Sequence, residues 1–309
     1  MDIFVQQIIN GVVLGAIYAL VALGYTMVYG ILGLINFAHG EIVMIGALVA
    51  LSVIKLIVDT GPAVPGPLVV AIGLGVAIPA CMLLGFAIER VAYRPLRHAP
   101  RLTPLITAIG VSIVLQNLAM MIWGREYIPF PQLLPTAGHP VAGATITDLQ
   151  IFIVLLAAMV MAGLLWIVHR TRLGRAMRAT AQHPEIAGLM GVNINSIISV
   201  TFVLGSALAA VAGVMVSAYY GIGHYYMGFL LGLKAFTAAV LGGIGNVGGA
   251  MVGGLLLGVI ESLGAGYIGP LTGGFLGSNY QDVFAFFVLI LVLVFRPSGL
   301  LGERVADRA

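Results

Sequence analysis

The sequence predicts an all-α integral membrane protein, folded as a polytopic bundle of eight or nine helical segments. Of its 309 residues, 61% are hydrophobic and only 8% are charged, whereas about 25% of the residues in a soluble domain carry charge. The mean hydropathy is +1.11. Because a membrane-spanning helix needs about 20 apolar residues, the length accommodates about eight spans. We therefore expect residues 1–309 to form one transmembrane domain without a separate soluble module.

Seven continuously apolar segments supply most of the expected helices. They cover residues 5–29, 42–57, 67–88, 102–123, 149–168, 194–218 and 280–295. A strand of an outer-membrane barrel alternates apolar and polar residues over about ten positions. These segments show no such alternation, so they are predicted to be helices.

The basic residues predict the orientation of the bundle. Eleven of the 14 Lys and Arg residues lie in three places: Arg90, Arg94, Arg97 and Arg101; Arg170, Arg172, Arg175 and Arg178; and Arg296, Arg304 and Arg308. The positive-inside rule assigns these regions to the cytoplasm. The N-terminus and the proline-rich loop 124–148 then face outward, and the C-terminus faces the cytoplasm. Because the charges are few and concentrated in three regions, they indicate membrane topology. We therefore expect no nucleic-acid partner.

A glycine-rich stretch, residues 233–264, is harder to divide. The chain on both sides of it, at Tyr219 and Tyr280, is predicted to lie outside, so the stretch must cross the membrane an even number of times or not at all. We expect two shorter helices that meet at residues 242–249, which raises the count to nine segments.

The sequence contains an internal similarity. Residues 13–33 align with residues 203–223 at eight identical positions, and residues 33–40 and 243–250 share a Gly-x-x-Asn core. Because the two halves would run in opposite directions, an inverted repeat of about 5–123 and 194–296 is predicted, a common plan in transporters. Chance similarity is the alternative, since Gly, Ala, Val and Leu dominate every span.

Polar residues within apolar sequence are the candidates for a translocation path. They are Asn36, His39, Glu41, Gly243, Gly245, Asn246, Gly248, Gly249 and Glu261. A glycine-flanked polar break in a span is tolerated where it packs inside protein or lines a wet cavity. Residues 36–41 could alternatively form a solvated turn at the inner face, and the glycines of 242–254 could serve close helix packing or offer backbone amides to an anion. Glu261 is the most deeply embedded carboxylate, and such residues usually face a cavity or a partner.

Several kinds of chemistry have no sequence support. The chain has no P-loop, HExxH or GxSxG motif, and its single cysteine, Cys81, lies in an apolar run. We therefore expect no catalytic residues, no metal site and no cofactor. We also find no charge pair inside a predicted span. The sequence indicates a conduit, and any driving energy would enter through another subunit or a coupled ion.

The cytoplasmic segment 169–195 has the character of a coupling element. Residues 176–190 have a helical composition, with Pro184 placed to open a new helix and Gly191 placed to end it. The candidate contact residues are Arg175, Arg178, Glu185, Ala187, Leu189 and Gly191. Mixed apolar and charged side chains favour a short helix in a groove of a soluble partner. Attachment to anionic membrane lipid is the alternative.

Four segments carry a resemblance to a known family. Residues 24–47, 173–193, 236–258 and 295–302 are similar to the LivH-type permeases of branched-chain amino-acid ABC importers, and NFAHGE with GGIGN are specific motifs of that superfamily. The resemblance implies a bacterial inner-membrane subunit paired with a LivM-type permease. It also implies two ATPases of the LivF and LivG types and a periplasmic amino-acid-binding protein. Glu185, Ala187 and Gly191 match part of the coupling motif of ABC importers, whereas the downstream I-x-L-P part is absent.

The expected function is uptake of leucine, isoleucine and valine by alternating access, with ATP hydrolysis on separate subunits. Three alternatives stay open at this point. A related permease could carry urea or short-chain amides. An ion-coupled secondary transporter would use Glu41 and Glu261 as proton carriers, and the missing charge pairs argue against it. A passive channel would need a continuous polar lining that the sequence does not show.

Overall fold

The computed structural model describes residues 2–61, 64–97, 99–100, 102–141, 143–275, 277 and 280–302. These residues form eleven α-helices and four short strands. The helices are α1 (Asp2–Leu32), α2 (His39–Thr60), α3 (Gly66–Ile88), α4 (Leu102–Trp123), α5 (Asp148–Arg170), α6 (Arg172–Gln182), α7 (Pro184–Leu189), α8 (Ile194–Tyr220), α9 (Met227–Gly242), α10 (Val247–Leu271) and α11 (Gln281–Phe295). The strands are β1 (Ile128–Pro129), β2 (Gly138–Val141), β3 (Ala144–Thr147) and β4 (Ile222–Gly223).

Nine of these helices are the apolar segments of the bundle, as the sequence predicts. Seven are long and apolar enough to span a membrane, and α9 and α11 are shorter apolar helices of 16 and 15 residues. The glycine-rich stretch divides into α9 and α10, with the break at residues 243–246. At 1.5 Å per residue α9 is about 24 Å long, which is less than the roughly 30 Å of a bilayer core.

The centre of the bundle is formed mainly by α1 and α8, which are the most deeply buried of the long helices. α1 packs along α10, while α8 contacts α1, α2 and α3. Glycines allow the α1–α10 approach: a Cβ at Gly15 would lie 2.7 Å from the Cα of Leu255, and one at Gly11 would lie 2.6 Å from the Cα of Val259. Small residues at such crossings let membrane helices pack backbone to backbone.

The outer helices keep much apolar surface exposed, as expected for surfaces that meet lipid or a partner helix. On α4 and α5 the exposed large apolar side chains are Leu102, Ile106, Ile109, Ile113, Val114, Leu118, Met121, Ile122, Phe152, Leu155, Met159 and Trp166.

One end of the bundle brings the predicted outer segments together. The side chain of Gln6, near the start of α1, donates to the Thr145 carbonyl (3.1 Å) and accepts from the Thr145 amide (2.9 Å). Strand β1, which follows α4, pairs antiparallel with β4, which follows α8. The start of α1, the segment 124–147 and the end of α8 therefore lie at the same end.

At the opposite end, α3 continues as a π-helix, Glu89–Tyr93, and a 3₁₀ turn, Arg94–Leu96. The Tyr93 hydroxyl donates to Asn36 in the α1–α2 break (2.9 Å). The helices α6 and α7 connect α5 with α8. The segment after α11, residues 296–302, is called the C-terminal segment. It pairs with the end of α9, where the Leu300 amide donates to the Leu241 carbonyl (2.9 Å).

Candidate functional site

The break between α1 and α2 contains three of the predicted path residues. Asn36, His39 and Glu41 are all buried, with at most 2% of each residue exposed. The Asn36 side chain accepts from the Ala38 amide (3.1 Å) and from the Tyr93 hydroxyl (2.9 Å). The His39 ring meets the edge of Tyr25, with ring centroids 5.0 Å apart. The alternative of a solvated turn is thus wrong for His39 and Glu41, because α2 begins inside the protein.

Glu41 is held by hydrogen bonds from α4. One carboxylate oxygen accepts from the Ser112 hydroxyl (3.0 Å) and from the Gln116 amide (2.7 Å). Gln116 thus bonds to a neighbouring helix, whereas the adjacent Asn117 donates to the Ile113 carbonyl (2.8 Å) of its own helix. A path that exposes Glu41 would require α2 and α4 to separate.

The second predicted break, between α9 and α10, is closed by the C-terminal segment. Gly243 and Gly245 have positive φ angles of 106° and 93°, which glycine adopts without strain. The Asn246 side chain caps α10 by accepting from the Gly249 amide (3.0 Å), and it donates to the Leu301 carbonyl (2.8 Å). Gly243 and Gly249 are buried, Gly248 is partly exposed and Gly245 is exposed. The buried Gly243 and Gly249 lie at close backbone contacts, with Leu301–Gly302 and with Gly242.

Glu261 lies in the middle of α10, fully buried, and belongs to a cluster of three charges. Its Oε1 accepts from Lys234 Nζ (2.7 Å) and from the Tyr18 hydroxyl (3.2 Å). Lys234 Nζ also lies 2.8 Å from Asp282 Oδ1 in the first turn of α11. We call Lys234, Glu261 and Asp282 the charge cluster. The prediction that spans contain no charge pair is therefore wrong: the three residues are far apart in sequence and meet only because α9, α10 and α11 pack together.

A cavity of about 310 Å³ adjoins the charge cluster. It reaches from Lys234 towards the end of the bundle that carries β1 and β4, and its lining includes Tyr18, Tyr127, Tyr220, Tyr226 and Leu230. No sequence pattern predicted this cavity. Among the residues that the structure describes, no group of three or more His, Cys, Asp or Glu side chains could hold a metal ion.

The predicted coupling segment forms two helices, as its proline and glycine indicate. α6 ends at Gln182, Pro184 is the first residue of α7, and Gly191, with φ +86°, follows the end of α7. Ala187 is buried, and its carbonyl accepts from the Val192 amide (3.0 Å). The other apolar side chains face away from the protein: Ile186, Leu189 and Met190 are 56%, 87% and 81% exposed. We call Ile186, Leu189 and Met190 the α7 patch; the sequence interpretation missed Ile186.

The charged residues of this segment divide into two groups. Arg175 and Glu185 are exposed. The Arg178 guanidinium donates to the Val168 carbonyl near the end of α5, which is a favourable position for a cation at a helix C-terminus. Arg178 thus has a partner within its own chain.

A third buried carboxylate, which was not predicted from the sequence, lies at the end of the bundle that carries α6 and α7. Glu89, in the π-helix, is fully buried, pairs with Arg97 and accepts from the Ser199 hydroxyl of α8 (2.6 Å). Arg97 also donates to Asn195. Arg97 was counted as a topology signal, but it also ties the end of α3 to the start of α8. Glu89 directly follows an apolar run in the sequence, and that position was the available signal.

Comparison with known proteins assigns this arrangement to a family. Residues 7–293 match the family model described as the permease component of branched-chain amino-acid transport systems. The chain is 48% identical to the Pseudomonas aeruginosa high-affinity branched-chain amino-acid transport system permease protein BraD, over 99% of this chain and 98% of the relative. It is 46% identical to the LivH protein of the same description from Escherichia coli K12, over 99% and 97%. A probable LivH permease of Methanocaldococcus jannaschii is 27% identical over 97% and 94%.

The family match covers almost the whole chain, and two relatives share nearly half of their residues with it along their full length. The resemblance of the four sequence segments is therefore confirmed. This chain is a multi-pass membrane protein that belongs to the family of branched-chain amino-acid transport permease components.

Proposed function

We propose that this chain is the permease subunit of an ATP-driven importer that moves leucine, isoleucine and valine into the cytoplasm. The BraD and LivH relatives are permeases of branched-chain amino-acid transport systems, which supports the substrate class. The nine apolar helices support a transport role within the membrane. A urea or amide substrate and ion-coupled transport by this chain alone are the competing functions.

The observation that carries the proposal is the exposed α7 patch. Ile186 and Leu189 on this six-residue helix, and Met190 directly after it, present large apolar side chains outward, while Ala187 is buried. Apolar anchors on a short helix are typical of helix-in-groove recognition by a protein partner. A membrane-spanning permease without a P-loop of its own needs such a contact, because the conformational changes that drive transport then occur in a separate ATPase.

The same helix has a direct connection to the centre of the bundle. Only four residues separate the end of α7 from the start of α8. α8 in turn contacts α1, α2 and α3. An ATPase that moves α7 would therefore also move α8, because the connection between the two helices is short. This coupling supports alternating access as the mechanism.

The proposed assembly contains four kinds of partner. A LivM-like permease would complete the pathway, and two ATPases of the LivF and LivG types would bind below the two permeases, with α7 as this chain's contact. A periplasmic binding protein would deliver the substrate. We place the chain in the bacterial inner membrane, with its N-terminus periplasmic and its C-terminus cytoplasmic. The residues of both breaks and Glu261 remain our candidates for the pathway, with Arg175, Glu185, Leu189 and Gly191 as candidates for coupling.

The test replaces one anchor of the α7 patch. Leu189→Asp places a charge in the proposed groove and should cost about 2 kcal/mol or more, as expected for a contact hot spot. That corresponds to more than about a tenfold loss of ATPase binding. We would tag the chain, express it with its partner genes, extract it in mild detergent and measure the co-purified ATPase and its stimulation by leucine-loaded binding protein.

Ala181→Asp is the matched control, because it adds the same charge at an exposed position of α6. It should leave both measurements close to wild type. Equal ATPase recovery with Leu189→Asp and with wild type would contradict docking at α7. A wild-type chain that purifies without any ATPase, yet drives uptake with an ion gradient, would favour the ion-coupled alternative.

A further inference from the structure

We infer that the cavity beside the charge cluster is a binding subsite for the amino-acid substrate, which it holds by both of its charged groups and by its apolar side chain. The inference deepens the proposed function and rests on it for the substrate class. The site lies at the end of the bundle that carries β1 and β4, where a binding protein would release its cargo.

The charge cluster supplies groups of both signs. Lys234 Nζ is within 2.8 Å of Glu261 on one side and of Asp282 on the other. Its side chain is 14% exposed and that of Asp282 is 36% exposed, whereas Glu261 is fully buried. Lys234 is the member of the cluster that lines the cavity, whereas Glu261 and Asp282 lie outside the lining. Of these two carboxylates Asp282 is the partly exposed one, so it is the partner that Lys234 can exchange for a ligand.

An α-amino acid fits between these two groups electrostatically. Its carboxylate can bind Lys234 while its ammonium binds Asp282. Negative and positive groups then alternate in the order Glu261, Lys234, substrate carboxylate, substrate ammonium and Asp282. A buried charge needs a paired, hydrogen-bonded neighbour, and Glu261 keeps Lys234 paired in either state. The Tyr18 ring, 5.8 Å from Lys234 Nζ, adds a cation–π contact.

The remainder of the cavity suits a branched aliphatic side chain. Leu230, Leu231, Met227, Val216 and Ile222 line it together with the tyrosines. Its volume of about 310 Å³ is at the lower end of the range for small-molecule pockets, which are mostly apolar with a few placed polar groups. A wholly structural ion cluster would not need an adjoining apolar cavity open to one end of the bundle.

The chain offers a direct occupancy test. Its single cysteine, Cys81, is buried, so a Cys81→Ser background makes an added thiol unique in this chain. We would introduce Leu230→Cys, which lies on the cavity lining, and measure its rate of modification by a small charged thiol reagent in the assembled importer. Leucine at about ten times its dissociation constant should slow the reaction about tenfold. Adding Asp282→Asn should abolish this protection.

Phe229→Cys is the matched control, because Phe229 is exposed to a similar extent but lies outside the cavity lining. Leucine should not change its modification rate. Two analogues, 4-methylpentanoate without the ammonium and 3-methylbutylamine without the carboxylate, should protect Leu230→Cys much less than leucine. Equal protection by either analogue would overturn recognition of both charges.

The two proposals fail in distinguishable ways. An importer whose ATPase responds to loaded binding protein, but in which leucine never protects Leu230→Cys, would overturn the subsite and leave the proposed function standing. A double variant, Lys234→Met with Glu261→Gln, tests a merely structural cluster, because it removes both charges of the internal pair together. If this variant assembles and transports leucine at the wild-type rate, the cluster does not bind substrate.

Discussion

At the scale of single residues, the buried Glu41 carboxylate illustrates how this bundle accommodates polar groups. Ser112 and Gln116 of α4 both donate to one oxygen of Glu41. A donor left without an acceptor inside a protein costs about 1–3 kcal/mol. These hydrogen bonds therefore join α2 to α4, and their loss would weaken the packing of the two helices.

We predict that Glu41→Leu destabilises the chain by about 2 kcal/mol or more, because the buried Ser112 hydroxyl and the partly buried Gln116 amide lose their acceptor. Glu41→Gln keeps a carbonyl acceptor at the same position and should cost less than about 1 kcal/mol. The measurement is thermal unfolding of the purified chain in detergent, followed by the reaction of the buried Cys81 with a thiol-sensitive dye.

Transport by the same variants separates stability from function. If Glu41→Gln is as stable as wild type and also transports normally, the carboxylate serves helix packing. A stable Glu41→Gln chain that no longer transports would support the hypothesis that Glu41 belongs to the pathway.

At the scale of helices, the close contact between α1 and α10 depends on the absence of side chains. Gly15 and Gly11 approach the backbone of α10. They are four residues apart, so they lie on one face of α1. Gly254 and Gly258 on α10 have the same spacing and meet the backbone of α1 in the same way. The pattern is a small-xxx-small contact made by both partners.

We predict that Gly15→Ala destabilises the chain by about 1–3 kcal/mol, the usual cost of overpacking, because the added methyl group would meet backbone rather than a flexible side chain. Gly75→Ala on α3 is the control, since a Cβ there meets open space, and it should change stability by less than about 0.5 kcal/mol. The same Cys81 assay reports both, and equal unfolding temperatures would show that α1 and α10 can separate without cost.

The two interhelical breaks are built alike at this scale. Each begins with a glycine of positive φ, Gly33 or Gly243, and contains an asparagine that accepts a backbone N–H. The alignment of 13–33 with 203–223 superposes α1 on α8, however, and places the break after α8 opposite the first break. The two similarities thus use different offsets, and the inverted repeat stays a prediction.

At the scale of the whole molecule, the bundle has two ends whose assignment to the two sides of the membrane follows from the basic residues alone. We predict that the end with β1 and β4 is periplasmic. In a Cys81→Ser background, Thr136→Cys should react with a membrane-impermeant thiol reagent in intact cells, with the outer membrane made permeable. Gln182→Cys, on α6, should react only after the inner membrane is opened.

Both positions are exposed, so a difference in labelling reflects the side of the membrane rather than burial. The opposite labelling pattern would invert the bundle. It would also move the inferred substrate cavity to the cytoplasmic side and the α7 patch away from any cytoplasmic ATPase.

The composition and the apolar segments determined the fold class, the number of membrane helices and most helix ends to within a few residues. A bilayer requires long apolar segments whose backbone groups are hydrogen-bonded within the segment. Each such segment can therefore be identified from its own residues. The coupling helices were also predictable, since Pro184 and Gly191 act on the chain directly around them. Motifs spread over the chain were enough to indicate the family.

Only the tertiary structure decided which polar groups meet. Lys234, Glu261 and Asp282 come from three helices, and Glu89 finds Ser199 on α8. Nothing local distinguishes a lysine that will pair inside the bundle from one at a membrane surface. The cavity depends in the same way on side chains from α1, α8 and α9 and from the loop after α4. Contacts between distant segments arise from packing geometry, and that geometry is not encoded in any single stretch of residues.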